Sequence, residues 1–259
     1  MTPTPDTPAA GWHSGPLCGF AVETTGTDPE TARIVAACLV WCGGGKPTEV
    51  TVWTADAGGE EIPEAATAVH GITTEQARTA APVADVADVV RKALSGVAAG
   101  GVPIVAMAAR FHLTVLDREA RRAGLTPLAE DLDAGRLHVI DPQVLDRQTD
   151  PYRRGKRTLA ALCSHYRLPA PGALADGGSA LAACCVAWRI AANTPAIGNT
   201  PPADLHRQQT TWAARQAAGL QEYLRRTDRA AVVPAAWPLL PYEEQKPKPG
   251  PDTALEETS

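Results

Sequence analysis

The sequence lacks most of the features that would assign a function directly. It has no excess of positive charge: the formal net charge is −5 at pH 7, so any attraction to nucleic acid must come from a local patch. No apolar run approaches the roughly 18 residues of a spanning helix. The opening MTPTPDTPAAGWHSG has neither the basic nor the apolar region of a signal peptide. These absences give the expectation of a cytoplasmic chain with no membrane partner. There is no Gly-x-Ser-x-Gly elbow, no P-loop and no dinucleotide fingerprint, and Gly43-Gly44-Gly45 reads as part of a hairpin turn. The six cysteines, Cys18, Cys38, Cys42, Cys163, Cys184 and Cys185, fall in apolar segments without the spacing of a zinc site or disulfide framework, and read as reduced core thiols.

What is present is a chain of 259 residues, enough for one α/β domain with extensions. LCGFAVET, ARIVAACLVW and TEVTVWTAD are apolar or β-branched runs separated by turn signals, which suits a meander of antiparallel strands. PEAATAVHGITTEQARTA carries short helical turns, and VADVADVVRKALSGVA repeats apolar residues at helical spacing. VPIVAMAA reads as a buried strand, FHLTVLDREARRAGL as a helix and LHVID as a fifth strand. KRTLAALCSHYRL and SALAACCVAWRIAAN complete the set as amphipathic helices. A mixed five-stranded sheet flanked by helices is the predicted α/β architecture, with a site at the ends of the central strands. The boundaries read as a flexible lead over 1–15, a domain over 16–194, a helical extension over 195–228 and a disordered Pro-rich tail over 229–259. In the extension, Leu205, Trp212 and Leu220 lie roughly two turns apart on one stripe, whose ordinary use is packing on the parent domain.

Several polar residues have plain structural readings. Glu23 suits a solvated strand-end acid beside the Thr24-Thr25-Gly26 turn. His112 suits a capping or core-edge histidine, and His70 the end of a short helix. Asp176, before two glycines, suits a turn or N-cap. Asp141 before Pro142 is a helix-start signal, and YRRGKR, with Tyr152, Arg153, Arg154, Lys156 and Arg157, suits a solvated loop.

Taken together, four stretches resemble the DnaQ-like 3′→5′ exonucleases, which include the proofreading subunit of bacterial replicative polymerases. The resemblance covers roughly residues 15–193. FAVETTGTDPETARIV is similar to the first family motif, in which Asp-x-Glu-Thr-Thr-Gly ends a strand. IPEAATAVHGITTEQA is similar to the segment that follows the third strand. VAMAARFHLTVLDRE resembles the second motif, Asn-x-x-(Phe/Tyr)-Asp at a helix start. HVIDPQVLDR with GKRTLAALCSHYRL resembles the approach to the third, a His followed five residues later by Asp. The resemblance implies a ribonuclease H-like fold and a site in which four carboxylates hold two Mg²⁺ roughly 3.5–4 Å apart while a His acts as general base.

Position by position, the implied site is degenerate. The leading Asp of the first motif is Ala21, and Glu23 is the retained half of that pair. The Asn position of the second motif is Ala108 and its metal-binding Asp is His112, which supplies no negative charge and suits Mg²⁺ poorly. In the third motif an ungapped register puts His and Asp at Leu174 and Ser179, and a register three residues shorter puts them at Pro171 and Asp176. The ungapped one keeps the expected helix and loop lengths. Neither supplies a general-base His. With one or two acids left, the expectation is a pseudo-exonuclease that needs no metal cofactor, with Mg²⁺ or Mn²⁺ relevant only to residual activity. Single-stranded 3′ ends would then contact Thr24, Thr25 and His70 in the implied groove and Arg153, Arg154, Lys156 and Arg157 beside it. The competing expectation is a protein-interaction module that offers its C-terminal segment to a polymerase or repair protein.

Overall fold

A computed structural model of the protein describes residues 11–243. The meander forms as the turn signals predict: β1 (Pro16–Thr24), β2 (Ile34–Gly43) and β3 (Glu49–Asp56) are successive antiparallel neighbours. Two short strands, β5 (Ile104–Val105) and β6 (Val139–Ile140), extend the other side of β1 in parallel. The sheet has six strands, in the order β4-β3-β2-β1-β5-β6, rather than the five expected. The addition, β4 (Ala81–Pro82), pairs in parallel with Ala55 and Asp56 of β3. Two residues carry no alternation that a pattern could reveal, and a proline without an N–H is tolerated only at such an edge.

β1 is buried on both faces. Cys18, Phe20 and Val22 enter the larger core with α3 (Val83–Ala99) and α4 (Ala109–Arg122), while Leu17 and Ala21 face the opposite layer, built around α8 (Gly178–Asn193). Gly19 marks where α8 crosses the sheet: a Cβ there would lie 2.7 Å from the Ala180 carbonyl oxygen. The remaining short helices before α8 are α1 (Glu64–His70), α2 (Thr74–Arg78), α5 (Leu128–Asp133), α6 (Pro142–Thr149) and α7 (Leu159–His165).

After α9 (Pro195–Gly198), the extension forms α10 (Pro202–Leu224), which closes the β6 edge of the sheet. Leu205 is buried, and the polar residues beside it substitute for a neighbouring strand. His206 Nδ1 accepts from the Val139 amide at 3.0 Å, Gln209 Oε1 accepts from the Asp141 amide at 2.8 Å, and Gln209 Nε2 donates to the Val139 carbonyl at 3.0 Å. Backbone groups that would otherwise form an open edge are thereby paired.

Two terminal expectations change over the residues described. The segment 229–243, expected as disordered tail, lies along the domain: Trp237 is buried, Leu240 N–H donates to Thr114 Oγ1 at 3.0 Å, and Arg118 donates to the carbonyls of Leu240 and Pro241. Composition alone had placed it outside the fold, but one buried indole and a row of backbone acceptors outweigh the prolines. At the other end, Trp12–Ser14 form a short 3₁₀ turn, held by the Trp12 indole donating to the Ile197 carbonyl at 2.9 Å. Residues 1–10 and 244–259 lie outside the described residues.

Candidate active site

The end of β1 places Ala21 and Glu23 on the face covered by the start of α8, since residues two apart on a strand share a face. Ala21 is 3 % exposed and packs with Cys38, Val40 and Ala180. Its methyl group therefore closes a small apolar cluster where the motif would put a carboxylate. Glu23 pairs in register with Ala36, and the ladder slips between Glu23 and Thr24. Burial raises the Glu23 pKa above its ordinary value.

The second motif approaches from the other side of β1. Ala108 precedes α4 in a left-handed conformation, φ 58° and ψ 47°. That shape is costly for alanine and easier for asparagine. The buried Asp141 carboxylate stabilises it, accepting from the amides of Ala108 at 3.2 Å and Ala109 at 2.9 Å, as well as from Gln143 as an N-cap. His112, in the first turn of α4, points at β1, and its Nδ1 accepts from the Val22 amide at 3.1 Å. The residue is half-buried, and burial pushes the pKa down to about 4, only partly offset by backbone contacts to Met107 and Val22. His112 is therefore neutral at pH 7, edge-on to Phe20 and Phe111.

Both third-motif registers fall at the start of α8. Leu174 and Asp176 bound a 3₁₀ turn, Asp176 is exposed and Pro171 half-buried. Ser179 is half-buried in the first turn of α8, after Gly177 in the left-handed region. The Cys38 thiol donates to the Gly177 carbonyl at 3.9 Å, which ties this segment to the strand opposite Ala21.

The remaining groove candidates divide sharply. The Thr24 hydroxyl donates to the Gly26 carbonyl at 2.7 Å and the Thr25 hydroxyl accepts from the Arg33 amide at 3.0 Å, so both shape the turn. His70 ends α1, its Nδ1 accepting from the Ile72 amide at 3.1 Å. Its Nε2 is buried beside the Thr24 backbone with no hydrogen-bond partner among the described residues, and burial lowers its pKa. Arg153 and Arg157 face inward, onto the fully buried Asp146, which also accepts from Tyr166 Oη at 2.8 Å. Arg154 and Lys156 of the same loop are exposed.

As a donor set for Mg²⁺ these residues are a poor fit. Hard dications need several anionic or carbonyl oxygens. Around Glu23 the matching positions carry a methyl group and a neutral imidazole whose Nδ1 is already an acceptor. Among the described residues, no group of three or more His, Cys, Asp or Glu side chains is arranged to hold a metal ion. Nor is any helix there long and apolar enough to cross a membrane. Sequence reasoning gave Asp141 only as a helix start and missed Trp237 at the back of the second motif, where the indole N–H reaches the carboxylate at 3.4 Å. The Asp-Pro helix start gave one partner of Asp141; the other three come from distant segments.

No curated protein matches the chain. Among solved structures it is similar to E. coli exonuclease I in complex with a dT13 oligonucleotide, at 18% identity with a TM-score of 0.57, covering 70% of this chain and 42% of that one. An ExoI/SSB-Ct complex matches at 17% identity with a TM-score of 0.59, covering 80% and 46%. A structure of exonuclease I described as suggesting how processivity is achieved matches at 16% with a TM-score of 0.60, again covering 80% and 46%. This chain thus spans less than half the length of those proteins, and the likeness is one of fold. The exonuclease family profile, RNase_T, matches residues 20–181, more than half of the chain and both sides of the site, and the chain belongs to that family, within the DnaQ-like 3′→5′ exonucleases that its motifs resemble.

Proposed function

We propose that this chain is a catalytically impaired exonuclease, which binds single-stranded 3′ ends on the family's fold without hydrolysing them. One observation carries the reading. The side chain at the second motif's metal position, His112, is a neutral acceptor for the Val22 amide, while Ala21 packs into an apolar cluster across the same strand. Two-metal hydrolysis needs charge at both places. The single retained acid, Glu23, with a raised pKa, does not replace it. No step is therefore assigned to Mg²⁺ or Mn²⁺. The E. coli exonuclease I structure with bound dT13 supports nucleic acid as the ligand class for this fold. A 3′-labelled single strand incubated with Mg²⁺ or Mn²⁺ is expected to stay intact while remaining bound in low salt. Shortening that scales with protein and is abolished by Glu23→Ala would overturn the reading in favour of a residually active exonuclease.

A second reading, an interaction module for a polymerase or repair protein, rests on the far end of α10. Tyr223 is 64 % exposed, and Leu220 and Leu224 are exposed beside it, on a helix whose N-terminal half is built into the sheet edge. Removing the whole extension would open that edge, so Tyr223→Ser with Leu224→Ser is the appropriate variant. Loss of a co-purifying replication or repair protein with unchanged strand binding would favour this reading.

A further inference from the structure

We propose that the cleft between α6, α10 and the loop 151–157 is a phosphate-binding track, taking the sugar-phosphate backbone of a single strand that leaves the candidate site. The inference rests on the nucleic-acid-binding reading above and adds Arg147 and Arg110, which that reading does not use, to the loop cations Arg154 and Lys156. Its centre is Arg147, in α6, which lines two adjoining cavities of about 160 Å³ and about 410 Å³. The first also holds Arg110 and is backed by Trp237. The second is bounded by Arg157 and Gly155.

The electrostatics of the cleft are unbalanced. Arg147 makes no hydrogen bond or salt bridge among the described residues, and Arg110 donates only to the Pro234 carbonyl. The two nearby acids are already committed. Asp141 accepts from the Ala108, Ala109 and Gln143 amides and the Trp237 indole. Asp146 accepts from Arg153, Arg157 and Tyr166. Burial, then the charge of Arg157, lowers the pKa of Arg147, with Asp141 and Asp146 opposing and Arg110 adding to the effect. Arg110 and Arg147, half-buried in one cavity and without an ion pair of their own among the described residues, are held at a cost that a bound anion would relieve. Planar guanidinium forks match phosphate oxygens in geometry as well as charge.

Direction and extent favour a strand over an isolated ion. The smaller cavity is lined by Ala108 and Phe111, and Phe111 touches His112 edge-on, so the cleft starts beside the candidate site. Beyond the larger cavity, the loop presents Arg154 and Lys156, exposed and without a salt bridge among the described residues. Tyr152, 93 % exposed, offers a face on which a base can stack. In a chain of net charge −5, this run of cations is a local feature.

The test uses the full chain, with anisotropy of a labelled oligothymidylate across a salt series and thermal shift with inorganic pyrophosphate. Arg147→Gln is expected to weaken strand binding about tenfold and to lower the slope of log affinity on log salt by about 0.7. The exposed pair Arg154→Gln and Lys156→Gln, where misfolding is not at issue, is expected to lower the slope further, and Lys46→Gln, on a distant turn, to change neither. Pyrophosphate is expected to raise the melting temperature of the wild type and not of Arg147→Gln. Equal affinity and slope in the wild type, Arg147→Gln and the exposed pair would overturn the track while leaving nucleic-acid binding intact. Failure to bind the strand, with pyrophosphate stabilisation that depends on Arg147, would sink the nucleic-acid reading and support the cleft as a site for free phosphate compounds. No response to either probe would overturn both.

Discussion

The Nδ1 atom of His112 accepts the amide proton of Val22 across 3.1 Å, so the side chain that the motif resemblance aligns with a metal-binding position is part of the sheet's hydrogen bonding. The reason lies in the strands. Along this side of β1 the partner β5 reaches only Cys18 and Gly19, with the Cys18 amide donating to the Pro103 carbonyl. Amides on one side of a strand recur every second residue, which brings Val22 to a stretch where no strand opposes it. His112 supplies the missing acceptor. His112→Phe keeps a ring of similar size but strands a buried N–H, and is expected to cost about 1–3 kcal/mol in urea unfolding. His112→Asp, which can still accept that proton, is expected to cost less than His112→Phe. Equal stability of His112→Phe and wild type would remove the structural role.

Acid should weaken the fold through the same residue. A histidine whose folded pKa is depressed favours the folded state above its unfolded pKa, and that contribution is lost as pH falls towards the folded value. For His112, with a pKa of about 4, and for His206, also about 4 chiefly through burial and the nearby charge of His138, the window runs from about 6.5 down to 4, at up to about 1.4 kcal/mol per pH unit for each. Glu23 and Asp141, whose pKa values are raised by burial, act with the opposite sign, because protonation suits their folded environment. The stability difference between wild type and His112→Asn should therefore shrink between pH 7 and pH 5 in parallel urea titrations. A constant difference would mean that His112 is not held neutral.

Much of this was legible in the sequence, and the rest was hidden for identifiable reasons. The meander and Glu23 at the end of β1 follow from apolar and β-branched runs and turn chemistry, which are local. So does Asp141 as a helix cap, since Asp-Pro announces itself. Arg153 and Arg157 looked like surface charge because sequence adjacency reveals clustering and not direction. Their partner Asp146 belongs to the preceding helix, and only the packing of that helix buries it. His206 and Gln209 were unreadable for a related reason. Polar residues on an amphipathic helix normally face water, and here they face a strand edge that no local pattern places beside them. The family resemblance named the positions of the site, whereas what Ala21 and His112 do now is visible only in three dimensions.

Ala108 carries a left-handed backbone at the start of α4, and alanine pays roughly 1–2 kcal/mol for that shape. Asparagine adopts it more readily, and the second motif normally has asparagine there. Ala108→Asn is expected to raise stability by about 0.5–1 kcal/mol, within that strain, with no gain in nuclease activity on its own. Thermal unfolding monitored by circular dichroism reads the first expectation, and a labelled-strand assay the second. A loss of stability would mean that the Asp141 hydrogen bonds to the Ala108 and Ala109 amides leave no strain to relieve.

Restoring the site tests its degeneracy and its register together. The ungapped register calls for Ala21→Asp, Ala108→Asn, His112→Asp, Leu174→His and Ser179→Asp; the shorter one replaces the last two with Pro171→His beside the native Asp176. Ala21→Asp is the demanding step, since it puts a carboxylate among Cys38, Val40 and Ala180. Burying that charge without a counterion is expensive, so the restored protein should be destabilised in the absence of metal. Mn²⁺ should then raise its melting temperature and leave the wild type unchanged, because an ion held by the new acids stabilises only the folded state. Degradation of a 3′-labelled strand by one of the two variants, and not by the wild type, would fix the third motif at that variant's positions. Comparable cleavage by wild type and both variants would mean that the native residues already hold the metals, and that the charge argument for an impaired site is wrong.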